Sequence, residues 1–232
     1  MTDDLVSSVS DATEDTPKSQ LGTIDFWEKN YELELKNYET HQDPGEIWFG
    51  CGLKSKIVRW IMNNVTDEGK CILDIGCGNG HMLVDLAKQG NFSKLIGIDY
   101  APSSIELARK VFENESILNK KLELFVVDFL RSNSVDKKVD IIIDKGTFDA
   151  ICLNPEINIE DSRGKYIKSL VSLLNQDGIF LIASCNWTRE ELLKIFEHSG
   201  PFQLHDSIDT PCIQFGGKKG NNVTCLIFKS KR

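Results

Sequence analysis

Three glycines alternate with other residues in the segment Gly76-Cys-Gly-Asn-Gly80, directly after a short apolar run. This run, Cys71–Ile75, has the composition of a buried strand and carries an acid at Asp74, and a helical pattern begins after the last glycine. Glycine permits positive φ angles and lets a ligand approach the bare backbone. A strand, a tight turn and a helix in this order are typical of a nucleoside-cofactor site.

Two further predicted strands end in acids, which favours a cofactor site over a plain strand-to-helix turn. The strand Lys94–Asp99 ends 19 residues after Gly80, where a doubly wound sheet places a carboxylate on ribose hydroxyls. The next strand begins at Leu122 and runs into Asp128. Because the carboxyl ends of parallel strands share one sheet edge, we expect these acids to lie close to Asp74.

The glycine spacing also distinguishes between cofactors. A dinucleotide site usually reads Gly-x-Gly-x-x-Gly and binds a pyrophosphate at a helix N-terminus. Here the spacing is Gly-x-Gly-x-Gly and an acid precedes it, which would repel a pyrophosphate. An acid suits a cofactor with a cationic end, such as S-adenosylmethionine with its ammonium and sulfonium groups. The spacing therefore disfavours a nicotinamide oxidoreductase.

This residue order resembles the class I, seven-stranded methyltransferases. The resemblance implies that Asp74 serves the ammonium of S-adenosylmethionine directly or through water, that Asp99 holds the ribose hydroxyls, and that Asp128 accepts from the adenine amino group. The residues expected to contact the cofactor at this edge are Asp74, Gly76, Cys77, Gly78, Asn79, Gly80, Asp99, Tyr100, Asp128 and Phe129.

Hydrophobic periodicity predicts a doubly wound α/β fold. We expect a mostly parallel, seven-stranded, Rossmann-like sheet that ends in an antiparallel hairpin. Helices are expected near residues 21–38, 53–61, 80–88, 102–112 and 162–174, and a capping box at Thr188–Glu191 begins one more. The predicted strands are Cys71–Ile75, Lys94–Asp99, Leu122–Val127, Val139–Asp144, Ile179–Ser184, Phe202–Asp209 and Asn222–Lys229.

Length and charge set further limits. The 232 residues suffice for one large domain, expected over residues 21–232, behind a disordered acidic tail at residues 1–20. The net charge of −8 and the lack of a basic patch disfavour nucleic-acid binding, and they are compatible with a basic protein substrate. No apolar run approaches the roughly 18 residues that span a bilayer, so no membrane association is expected.

Seven cysteines occur without a Cys-x-x-Cys pair. Their odd number and scattered positions are typical of a reduced intracellular protein, and no metal site is expected.

The fourth predicted strand runs into Asp144-Lys-Gly-Thr-Phe-Asp149. The resemblance to the seven-stranded methyltransferases implies that this segment faces the methyl group. The expected catalytic residues are Asp144, which would orient a substrate ammonium, and Phe148, which would form an aromatic wall for an alkylammonium. The alternative is that Asp144 caps a helix and Phe148 is core. Trp187 either lines the same pocket or packs in the core.

Four segments carry a narrower resemblance. They are Phe26-Trp-Glu-x-x-Tyr31, Gly45-Glu-Ile-Trp-Phe-Gly50, Leu73–Gly80 and Asp144-Lys-Gly-Thr-Phe-Asp-Ala-Ile151. They resemble the elongation factor 1A lysine methyltransferases of the METTL-ten-like group. The resemblance implies N-methylation of a lysine on elongation factor 1A in the cytoplasm, with Trp48 folding over the cofactor, and we expect a monomer.

Two other functions stay open at this point. One is a methyltransferase for a small molecule or RNA, although the amide and base enzymes carry Asn/Asp-Pro-Pro-Tyr/Phe after the fourth strand and this chain does not. The other is a non-catalytic protein that binds the cofactor and acts through interactions.

Overall fold

The computed structural model of the chain describes residues 18–65, 69–115, 117, 121–131, 138–210, 212–215, 218–221 and 223–231. The predicted acidic tail therefore lies outside the described residues, except for its last three positions. Within the described ranges, no helix is both long and apolar enough to cross a membrane.

A seven-stranded sheet forms the centre of the molecule, in the order β3-β2-β1-β4-β5-β9-β6. The first five of these strands pair in parallel, and β9 pairs antiparallel with both β5 and β6. The predicted fold class is therefore confirmed. The strands of this sheet are β1 (Cys71–Ile75), β2 (Lys94–Asp99), β3 (Leu122–Val126), β4 (Val139–Lys145), β5 (Leu174–Ser184), β6 (Phe202–Ser207) and β9 (Thr224–Ser230). A separate small hairpin joins β7 (Cys212–Phe215) to β8 (Lys218–Asn221).

The helices follow the predicted pattern with one addition. Pro102 occupies the first turn of its helix, and the capping box from Thr188 to Glu191 is formed. The addition is α5, which starts one residue after Gly146 at the end of β4. The helices are α1 (Ile24–His41), α2 (Gly50–Asn64), α3 (His81–Gln89), α4 (Pro102–Asn114), α5 (Thr147–Leu153), α6 (Ile159–Leu173) and α7 (Arg189–Leu193).

Two hydrophobic layers cover the two faces of the sheet. One face packs against α1 to α4, and its β4 residues are Ile141 and Ile143. The other face packs against α5, α6 and the α7 region, and it receives Ile142. Because side chains alternate along a strand, this pattern assigns Lys145 to the first face and Asp144 to the second.

Candidate functional site

A cleft of about 1300 Å³ opens at the carboxyl ends of β1, β2 and β4. Its floor is built from the glycine turn after β1 and from the residues that end β2 and β4. Its roof is formed by residues 20–27, around the start of α1, and by residues 46–49, which we call the strap. The cleft is therefore bounded on one side by the sheet and on the other by segments that precede the sheet in the chain.

The glycine turn has the backbone geometry that its sequence predicts. Gly78 has a φ of 55°, and a Cβ there would lie 2.6 Å from the Tyr31 hydroxyl oxygen. Gly76 has a φ of 63°, and a Cβ there would collide with the Thr147 side chain. Glycine is required at both positions because the left-handed backbone and the close neighbours exclude a side chain.

Asp99 organises this turn from the end of β2. Its carboxylate accepts hydrogen bonds from the backbone N–H groups of Gly78 and Ala101, each at 3.0 Å. The side chain borders the cleft although the residue is only 5% exposed. Burial raises the pKa of Asp99, and the backbone hydrogen bonds act in the opposite direction. One carboxylate thus fixes the turn and presents acceptor oxygens to the cleft.

The roof is aromatic and is tied to the floor. The indole of Trp27 lies 5.0 Å from that of Trp48 in an edge-on arrangement, and it stacks on Tyr31 at 6.0 Å. The side-chain amide of Asn79 in the glycine turn donates to the Glu46 carbonyl of the strap at 2.9 Å. These contacts hold the strap over the floor of the cleft.

The structure brings nine of the thirteen predicted site residues to the surface of the cleft. These are Trp48, Gly76, Cys77, Gly78, Asn79, Asp99, Tyr100, Asp128 and Phe129. The other four, Asp74, Gly80, Asp144 and Phe148, are not among the residues that line it.

The expected catalytic positions Asp144 and Phe148 lie away from the cleft surface. The Asp144 carboxylate is fully buried and accepts from the backbone N–H groups of Thr147 and Phe148, each at 2.9 Å, and from the Tyr166 hydroxyl. Phe148 is also fully buried and packs against Tyr166, Trp187 and other rings. Asp144 is thus the cap of α5 and Phe148 is core, which is the alternative reading of this segment.

Strand alternation explains this placement. The sequence predicts that the strand ends at Asp144, but β4 continues to Lys145. Asp144 points to the face that carries α5 and α6, so its neighbour Lys145 occupies the cleft side.

Gly80 and Asp74 also lie off the cleft surface. A Cβ on Gly80 would meet Ala108 and Phe112 of α4, so this glycine serves helix packing. Asp74 is 2% exposed and precedes the last residue of β1, beneath the turn. Burial raises its pKa to about 7, and the charge of Lys145 lowers it. Asp74 therefore has no surface on the cleft, and the role predicted for it toward a ligand is the one through water.

The cleft residues that the sequence analysis did not predict include Tyr31, Lys145 and Asp149. The Asp149 carboxylate accepts from the Ser184 hydroxyl and from the Cys185 backbone N–H at 2.8 Å. Recognition of α5 would have indicated Asp149, because consecutive helix residues point in different directions and Phe148 is buried. Trp187 does not line the cleft and packs in the core.

Metal-ligating side chains are dispersed. Across the described ranges, no three His, Cys, Asp or Glu side chains are grouped so that they could hold a metal ion.

Comparisons with known proteins agree with this architecture. A family model described as a methyltransferase domain matches residues 66–221. The N-methyltransferase NodS of Bradyrhizobium japonicum, solved in complex with S-adenosyl-L-homocysteine, has a TM-score of 0.64 at 15% identity, covering 89% of this chain and 99% of that one. This likeness shows the shared fold.

Two curated relatives cover nearly the whole chain. "EEF1A lysine methyltransferase 2" of Homo sapiens is 46% identical, over 91% of this chain and 87% of that protein. "Protein-lysine N-methyltransferase EFM4" of Saccharomyces cerevisiae is 35% identical, over 93% of this chain and 97% of that protein. On these matches and on the domain model, this chain belongs to the EEF1A lysine methyltransferase 2 family of methyltransferases.

Proposed function

We propose that this protein transfers a methyl group from S-adenosylmethionine to a lysine side chain of elongation factor 1A. The observation that carries the proposal is the glycine turn held by Asp99 at the floor of the cleft. The relatives are named as lysine methyltransferases, and the substrate in their printed name is EEF1A. A cleft of about 1300 Å³ exceeds what the cofactor alone needs and leaves space for an inserted side chain.

The residues of the floor fit the cofactor. Asp99 presents carboxylate oxygens at the end of β2, which suits a ribose diol. The backbone of Gly76 and Gly78 is bare on the cleft side. The indole N–H of Trp48 is buried and has no partner in the described part of the chain, so it is a free donor in the roof. We place the adenine end beside Asp128 and Phe129, which border the same cleft.

The bound cofactor supplies an activated methyl group, so the protein contributes mainly position and electrostatics. We propose that Asp149 takes the role first expected of Asp144, since its buried carboxylate borders the cleft beside Cys185 and Asn186. A carboxylate at this wall orients the substrate ammonium, although it also raises the pKa of the amine. Its role is therefore positioning.

The setting of the reaction is also part of the proposal. We infer that the protein acts in the cytoplasm as a monomer and needs no nucleic acid. The net charge of −8 supports the absence of a nucleic-acid requirement, because phosphate contacts require clustered Lys and Arg side chains. We retain an acidic tail at residues 1–20 and a methyltransferase domain at residues 21–232 as the proposed organisation.

Transfer of a labelled methyl group tests the proposal. Purified protein is incubated with methyl-labelled S-adenosylmethionine and either elongation factor 1A, total RNA or a metabolite extract. Label on a lysine of elongation factor 1A is expected, and Asp99→Ala is the control that should abolish it. Label in RNA or small molecules would contradict the substrate. Cofactor binding without label would indicate a non-catalytic protein.

A further inference from the structure

Lys145 is the last residue of β4 and borders the cleft. Strand alternation brings it to the same sheet face as Ile143, and its register neighbours place it beside the turn after β1. The residue is half-buried and lines the cleft. The mechanism described above uses no positive charge at this position.

The ammonium of Lys145 lacks an anionic partner in the protein. Among the described residues, no carboxylate oxygen lies within 4.0 Å of it and no hydrogen bond from its side chain is formed. Its nearest aromatic contact is the Phe49 ring of the strap, 5.9 Å from the ring centre. Lys54, another lysine of the cleft, is different because it forms an ion pair with Asp85 at 2.7 Å.

A secluded ammonium without a partner is costly, because burial disfavours the charged form. Burial lowers the pKa of Lys145, while the charges of Asp74 and Asp144 raise it. Asp144 is on the opposite face and its oxygens are occupied by backbone and hydroxyl donors. An anion entering the cleft would therefore find a cation available at Lys145.

We propose that Lys145 binds the carboxylate of the methionine end of S-adenosylmethionine. This inference rests on the proposed function. The amino-acid end of the cofactor is a zwitterion, so it needs one cationic and one anionic partner. Lys145 borders the cleft, and Asp74 lies beneath the turn on the same sheet face, from which it can serve the ammonium through water. The Phe49 ring of the strap packs closely against Gly146, the residue after Lys145. A Cβ added to Gly146 would lie only 3.2 Å from this ring.

A matched pair of ligands tests the assignment by calorimetry without turnover. S-adenosylhomocysteine carries the carboxylate, and S-adenosyl-3-thiopropylamine is the same molecule without it. The unmodified protein should bind the first roughly 10- to 100-fold more tightly, as expected for a charged hydrogen bond. Lys145→Met should reduce this preference to about twofold or less, and Lys145→Arg should retain most of it. Lys165→Met, on the outer wall and paired with Asp161, should keep the full preference.

The outcomes separate the two proposals. If the unmodified protein binds neither ligand, the proposed function fails. If it binds S-adenosylhomocysteine and Lys145→Met keeps the full preference, the assignment of Lys145 fails while the function stands. An equal loss of both ligands with the variant would also overturn the assignment, because it would reflect a change in the shape of the cleft.

Discussion

The floor and the roof of the cleft are built by different means. The floor consists of strand ends and a turn, fixed by sheet hydrogen bonds and by Asp99. The roof is held by contacts between segments that are distant in sequence, such as the bond from the Ser19 backbone N–H to the Leu153 carbonyl at 2.9 Å. Within the roof, the Trp27 indole N–H donates to the Leu21 carbonyl at 2.6 Å.

We expect this difference to separate cofactor binding from substrate binding. The sheet that carries the floor belongs to the fold shared with NodS, which differs from this chain at most positions. The outer part of the cleft is lined by the start of α1 and the loop after α5, around Asp25 and Glu156. We therefore expect changes in the floor to alter cofactor affinity and stability, and changes at the start of α1 to alter the use of the protein substrate.

The largest expected effect is a pH dependence of stability caused by Asp144, which lies in the core behind the floor of the cleft. Burial raises the pKa of Asp144 from its ordinary value of 3.8 to about 7. The folded state then holds this proton more tightly than the unfolded state, so stability is lost as pH rises from about 4 through 7. The rise in this pKa from 3.8 to about 7 corresponds to a loss of at most about 4 kcal/mol in the free energy of unfolding.

Unfolding by urea between pH 5 and pH 8 measures this effect. Asp144→Asn should remove part of the pH-dependent loss, and the exposed Asp161→Asn serves as the control. If Asp144→Asn has the same pH slope as the unmodified protein, Asp144 is not a buried core acid.

Asp99→Ala should weaken binding of S-adenosylhomocysteine by about 3 kcal/mol, since the ribose diol and two backbone N–H groups lose their acceptor. Calorimetry measures the affinity. Asp25→Ala in the roof is the matched acid, and its affinity should stay unchanged. Equal losses in the two variants would abolish the distinction between floor and roof.

Gly78→Ala should destabilise the protein by about 2 kcal/mol, because φ is positive and the new methyl group meets the Tyr31 hydroxyl. Thermal unfolding measures the change. Tyr31→Phe in the same chain should recover part of it. Gly52→Ala is the control, since a Cβ there has open space. A Gly78→Ala variant as stable as the Gly52→Ala variant would contradict the predicted crowding.

The smallest expected effect is in the roof. Trp27→Phe removes the bond to the Leu21 carbonyl and should cost about 1 kcal/mol in kcat/KM for the protein substrate. Affinity for S-adenosylhomocysteine should change far less. Leu33→Ala, on the exposed side of α1, is the control for both measurements. A larger loss in cofactor affinity than in kcat/KM would show that Trp27 supports cofactor binding and not the use of the protein substrate.

Sequence patterns predicted the floor well and the roof poorly, for physical reasons. Alternating glycines and acids at strand ends are local features, so they located the turn and Asp99. The predicted end of β4 differs from the observed end by one residue, and because side chains alternate strictly along a strand, Asp144 lies on the face away from the cleft. The contact of Ser19 with Leu153 has no periodic signature, so no sequence pattern indicated it.

The order of the last two residues of β4, Asp144 and then Lys145, has a consequence for the whole molecule. Asp144 and Lys145 send opposite charges to opposite sides of one strand. Transposing them would seat an ammonium among Phe148 and Tyr166 and would add a further negative charge next to Asp74. The apolar packing of the aromatic interior and the charge distribution of the cleft thus both depend on the order of these two residues.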